Sequence, residues 1–283
     1  MLALYAYGVV RSPFDVSAAP AGLDDAALQL EAGGRVAALV SPIDADEYAP
    51  ERVATQSQDV EWLGARAQAH DRVITWASDR AAIVPLPLFT VFRDMAGVRE
   101  MLETRRDELE GILADLTGSH EYTVRIFRVD AVLVDALAQR SPRIAELETR
   151  ARDATPGQRY LLERKLEQER RVAIERVGDQ VAVEAFARLG RIARRSVREA
   201  VAPGAGSTGH AVLNASFLVA DRETDAFREA VTELVGAHGA AGFRFEFTGP
   251  WPPYHFVPHD RRAVGGAPQM HDTEIAERGG RAE

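Results

Sequence analysis

The chain of 283 residues contains no cysteine, and Lys165 is its only lysine. The missing thiols exclude disulfides, thiolate nucleophiles and zinc–thiolate sites. With its single lysine inside a helical stretch, the chain has no phosphate-binding loop of the Gly-Lys-Ser/Thr type. No run approaches the length of apolar sequence that a membrane-spanning helix needs. The first residues, Met1 to Val10, are apolar, but they lack a basic leader and a cleavage site and are soon followed by Arg11 and Asp15. They read as a strand, and the chain as cytoplasmic.

What is present is the balance of a folded globular protein, 46% hydrophobic and 27% charged. Forty-three acidic side chains outnumber 34 basic ones, for a net charge of −9. That sign repels nucleic acid and anionic membranes, so neither is expected as a partner. Every cation but Lys165 is arginine. Arginine favours planar bidentate contacts at interfaces, although a GC-rich coding bias produces the same skew.

Periodicity divides the chain into alternating elements. Residues 2–10 read as a strand, and Gly33-Gly34 separates two short apolar runs as in a hairpin. Residues 51–79 carry a helical repeat. Ala82-Ile83-Val84 is expected as a strand that ends early or lies on an edge, because Pro85 and Pro87 cannot donate to a ladder. Asp94 is placed to cap a helix running to Leu116. In the second half, Tyr122, Val124 and Ile126 alternate as in a strand, a helix covers 131–150, and a long helical pattern spans 158–201. At that length it would kink near Gly178 or project. Strand 211–219, a helix from Asp221 and the alternation of Phe243, Phe245 and Phe247 follow. The polar segment 258–283 reads as a mobile tail. The order predicts an α+β fold: two domains with antiparallel sheets, ferredoxin-like variants, with long amphipathic helices in the second. Their expected limits are residues 1–120 and 121–257.

Signals of chemistry are sparse. Gly204, Gly206 and Gly209 match Gly-x-Gly-x-x-Gly, but a helix precedes and a strand follows, the reverse of a dinucleotide site. His255 and His259 flank Pro258, which denies them a shared helical face for a metal. Asp44, Asp46 and Glu47 lack the glycine and spacing of a calcium loop. No catalytic, cofactor-binding or metal-ligating residue is assigned, and no enzyme is expected.

The most distinctive string is Phe245-Glu246-Phe247-Thr248-Gly249-Pro250-Trp251-Pro252-Pro253-Tyr254-His255-Phe256-Val257. It resembles the terminal signature of the gas vesicle protein GvpL/GvpF family. Tyr5-Ala6-Tyr7-Gly8-Val9, the Val36–Pro42 strand, Pro156-Gly157-Gln158-Arg159-Tyr160-Leu161, and Asn214 to Val219 with Phe227 resemble further family elements in order. One departure is clear: where many members carry Pro-x-Arg-Phe-Gly-Thr, this chain has Pro85-Leu86-Pro87-Leu88-Phe89-Thr90. The resemblance implies a gas vesicle accessory protein without a cofactor, located in the cytoplasm at the gas vesicle. It also implies partners, the small hydrophobic shell protein GvpA and other gas vesicle accessory proteins, and a role in nucleating the shell or preventing its aggregation. The alternatives are a general helical adaptor or chaperone and, more distantly, an enzyme.

Two sets of residues are candidates for partner binding. Trp251, Tyr254 and Phe256 are either exposed anchors on a proline-stiffened segment or plugs that close the last strand. Leu166 and Ile174 lie on the apolar face of the long helix, which is either core or a docking face.

Overall fold

The computed structural model describes residues 2–134, 141–201 and 209–258. Two compact units divide at Leu113/Ala114. The Gly204–Gly206 part of the glycine motif, His259 and the tail beyond Pro258 lie outside the described residues, as do residues 135–140 of the expected 131–150 helix.

The first unit is built on strands β1 (Leu2–Arg11), β2 (Gln29–Gly33), β3 (Val36–Asp44), β4 (Ile83–Pro85) and β5 (Val91–Phe92). They form an antiparallel sheet in the order β2-β3-β1-β4, with β5 also pairing β1. The β2–β3 hairpin turns at Gly34, whose φ of +80° suits a side-chain-free residue. The sheet order is that of a ferredoxin-like βαββαβ unit, but no α-helix separates β1 from β2. Helix α3 (Met95–Thr104) instead packs on β2 and β3, while α2 (Val60–Ser78) packs on β1 and β4. The single helix expected over 51–79 is two, α1 (Pro50–Gln56) and α2, because the Asp59 carboxylate caps a new start by accepting from Glu61 and Trp62 N–H groups. Asp94 caps α3 as expected, accepting from Gly97 N at 3.0 Å. That helix is interrupted at Arg105, and α4 (Arg106–Leu116) continues beyond it.

Buried tyrosines organise this unit. His70 Nε2–H donates to Leu86 O at 3.2 Å, so Nδ1 is the acceptor for Tyr5 OH at 2.9 Å. Burial pushes the His70 pKa down to about 4, opposed by the bond to Leu86, and keeps the ring neutral. Tyr5 in turn accepts from Phe89 N at 3.0 Å. Phe89 itself has a left-handed φ of +65°. Its ring compensates by stacking on Trp62 at 5.6 Å. Left-handed backbone at a side-chain-bearing residue costs about 1–2 kcal/mol. Phe89→Gly is therefore expected to be more stable than Phe89→Ala by about 1 kcal/mol, since both lose the stack and only alanine keeps the strain. Urea unfolding of the two variants measures the difference.

The second unit has strands β6 (Ser119–Arg128), β7 (Arg195–Arg198), β8 (His210–Ala220) and β9 (Phe243–Trp251), all antiparallel, in the order β7-β8-β6-β9. This is the complete ferredoxin-like order. The crossovers are α5 (Pro142–Asp153) with α6 (Pro156–Gly190), and α7 (Thr224–His238). Tyr122, Val124 and Ile126 of β6 meet Phe217 and Val219 of β8, Val181 and Leu189 of α6, and Phe227 and Leu234 of α7 in one core.

Helix α6 ends at Gly190 rather than near 201. The chain turns at 191–194 and pairs β7 with β8, Val197 opposite Ser216. Strand pairing thus overrides a helical pattern that sequence alone extends. The remaining length, about 52 Å, is explained by two successive cores. The first half of α6 packs on α5 through Leu166 and Ala173 against Ile144 and Leu147, with an Arg170–Glu148 ion pair. The second half packs on the sheet, where Gly178 allows close approach to β8; a Cβ there would sit 3.1 Å from Val212 Cγ1.

Candidate partner-binding surface

In an antiparallel pair, directly opposed residues share a face. Glu121, Thr123 and Arg125 of β6 lie opposite Trp251, Thr248 and Glu246 of β9, and Thr123 lies opposite Ser216 of β8. These residues form the side of the second sheet turned away from the α6–α7 core. Chain segment 252–257 folds back on this side.

The fold-back begins at a β-bulge. Gly249 and Pro250 lie between Thr248, paired with Thr123, and Trp251, paired with Glu121, so two residues oppose Tyr122 alone. Gly249 has φ +122°, and a Cβ there would stand 2.8 Å from Glu121 O and 2.9 Å from Tyr122 Cδ1.

The segment is then clasped. The Glu121 carboxylate, fully buried, accepts from His255 N at 3.0 Å through Oε2 and from His255 Nδ1 through Oε1. His255 Nε2 lies 2.9 Å from Glu199 Oε1. Asn214 Nδ2 donates to Glu199 Oε2 at 2.6 Å, and Ser216 Oγ lies 3.2 Å from His255 Nδ1. Both ring nitrogens face carboxylate acceptors, so only the imidazolium satisfies both. The bond to Glu121 raises the His255 pKa against the effect of desolvation, and the charges of Glu121 and Glu199 raise it further. A serine–histidine–acid relay needs hydroxyl and carboxylate on opposite ring nitrogens. Ser216 and Glu199 do stand on opposite ring nitrogens, but Nδ1 already donates its proton to Glu121 and so cannot accept one from Ser216, which is itself fully buried; the geometry is that of a clasp.

A raised folded-state pKa gives stability that is fully present below the unfolded value of 6.5 and is lost as pH rises through the folded value. The urea midpoint of the second unit should therefore fall on going from pH 6 to pH 9, and His255→Gln should remove that slope. An equal slope in the variant would refute the clasp.

The sequence candidates separate clearly. Trp251 stands 43% exposed, with Nε1 donating to Thr248 Oγ1 at 3.2 Å. Tyr254 is half-buried. Phe256 is 1% exposed; the Arg195 guanidinium lies over its ring at 5.4 Å, and Arg195 donates to its carbonyl at 3.0 Å. Leu166 and Ile174 are buried in the two successive cores of α6. The structure thus brings Trp251, Tyr254 and Phe256 together in one segment and keeps Leu166 and Ile174 inside. Sequence reasoning missed Glu121, Glu199 and Asn214. They come from three parts of the chain; a charged or amide residue within strand alternation could have marked Glu121 and Asn214, whereas Glu199 lies just past β7 and carries no such local signal. Among the described residues no group of three or more His, Asp or Glu is placed to hold a metal. No helix of the described residues is long and apolar enough to cross a membrane.

Comparison with known proteins agrees with the fold. The family model described as gas vesicle synthesis protein GvpL/GvpF matches residues 3–258. The chain is 32% identical to gas vesicle protein L of Streptomyces sp. (strain CB03234), over 89% of this chain and 92% of that protein. It is 26% identical to gas vesicle protein L of Haloferax mediterranei, over 84% of this chain and 72% of that protein. The crystal structure of the gas vesicle protein GvpF from Anabaena sp. PCC7120 superposes with a TM-score of 0.64 at 18% identity, covering 91% of this chain and 97% of that one.

Proposed function

The chain belongs to the GvpL/GvpF family of gas vesicle synthesis proteins, and on that premise we propose that it is a non-catalytic assembly factor that binds the hydrophobic shell protein GvpA. In this reading it covers apolar surface on the shell subunit, and so limits its aggregation and aids nucleation of the shell in the cytoplasm.

The observation that supports this reading is the exposed Trp251 beside a rigidly held segment. Pro250, Pro252 and Pro253 limit the conformations of the backbone around it, and the Glu121–His255 clasp ties down the segment that follows. An aromatic ring presented on a preorganised segment binds apolar surface with little ordering cost. Tyr254 extends the contact, and the buried Phe256 fixes the segment from beneath.

Trp251→Ala is expected to weaken capture of purified GvpA by about 30-fold, the loss of roughly 2 kcal/mol typical of an aromatic hot spot. Its urea midpoint should stay close to that of the unaltered chain, because the ring is exposed. Unchanged GvpA affinity in Trp251→Ala would refute the role given to this surface, and absence of GvpA binding by the unaltered chain would refute the proposal as a whole.

A further inference from the structure

Helix α6 carries a second apolar stripe, opposite the buried one. Leu161, Val172 and Val183 are 68%, 48% and 60% exposed. They are spaced eleven residues apart, and eleven residues bring an α-helix back to within about 20° of the same face. Lys165, Gln168, Arg176 and Asp179 lie between them on this face and are all exposed. Among the described residues no ion pair engages Lys165, Arg176 or Asp179. Val172, Arg176, Asp179 and Val183, flanked by Glu175 and Glu184, form one open, solvent-facing surface of the helix.

We propose that the occupant of this face is a second copy of the chain, packed antiparallel along α6 about a two-fold axis at Val172. The equal spacing makes the stripe self-complementary. With Val172 on the axis, Leu161 of each copy falls opposite Val183 of the other, Lys165 opposite Asp179, and Gln168 opposite Arg176. A parallel alignment would instead set Lys165 against Lys165 and Asp179 against Asp179. The charge pattern therefore selects the antiparallel direction, the register centred on Val172 is the one that engages all three apolar positions, and a two-fold contact of this kind closes on itself. Apolar layers recur here every third turn rather than every 3.5 residues as in an obligate coiled coil. The contact belongs to the small, reversible class, and its Lys165–Asp179 pairs make it weaken with salt. The proposal stands independently of any shell partner.

Sedimentation velocity on the full chain should show a shift from monomer to dimer across about 1–200 µM, the range of a weak specific contact. Lys165→Asp and Asp179→Lys should each weaken dimerisation by about tenfold, and the double exchange should restore it. Because the chain has no cysteine, Val172→Cys gives a clean second readout. On mild oxidation it should form a disulfide dimer far faster than Thr232→Cys, an exposed control on α7. All these positions are exposed, and circular dichroism verifies folding. A monomer at every concentration, equal crosslinking of the two cysteine variants, or failure of the charge exchange to restore association would each overturn the proposal.

Discussion

Ile174→Asp should abolish cooperative unfolding of the second unit, leaving a chain that expresses poorly or populates no native state. Ile174 is 5% exposed and belongs to the cluster that includes Phe217, Phe227 and Val181. The substitution forfeits roughly 2–3 kcal/mol of apolar burial. It also forces an unpaired carboxylate into that core, at a further cost of several kcal/mol or a strongly raised pKa. The sum is comparable to the whole stability of a typical domain, about 5–15 kcal/mol. The experiment separates two roles for the apolar face of α6. A docking face would tolerate the aspartate and lose only binding; a core face loses the fold. A sharp urea transition for Ile174→Asp near that of the unaltered chain would contradict the packing described for this helix.

Gly249→Ala should cost about 2–6 kcal/mol, a large effect for one methyl group. Two causes add. A side chain at φ +122° is strained wherever it stands, at about 1–3 kcal/mol. The added Cβ also falls 2.8 Å from Glu121 O, a backbone atom of a central strand that cannot step aside, and overpacking of this kind costs a further 1–3 kcal/mol. The consequence extends beyond stability, because the same bulge directs Trp251 outward and leads segment 252–257 to the clasp. If the proposed binding of GvpA holds, Gly249→Ala is expected to weaken capture together with the fold, and Trp251→Ala to weaken capture alone. Gly236→Ala provides the control: nothing lies within 4 Å of its Cβ position, and in α7 alanine should stabilise by up to about 1 kcal/mol. Urea midpoints of the two alanine variants moving in the same direction would show that the bulge geometry is not what Gly249 is for.

The parts of the protein that depend on local patterning were legible in the chain of residues alone. Alternation in Tyr122-Val124-Ile126 and in Phe243-Phe245-Phe247 marked strands, and Asp94 marked a helix start, because a strand's period and a cap's hydrogen bonds involve near neighbours only. The order of elements was enough for two antiparallel α+β units, and the Gly249–Tyr254 string, with the weaker matches along the chain, was enough for the family resemblance.

The rest depends on contacts between segments distant in the chain. The end of α6 at Gly190 depends on pairing of β7 with β8, two segments whose helical and extended propensities do not settle the contest. The division of the apolar positions of α6 into two buried cores and an outward stripe depends on what packs against each face. The clasp joins Glu121, Glu199 and His255, which are distant in sequence and unremarkable singly. The terminal signature itself is resolved residue by residue rather than as a whole. Phe256 is buried and Trp251 exposed because a bulge at Gly249 and a buried carboxylate at Glu121 turn the chain between them, and that turn is a property of the sheet, not of the string.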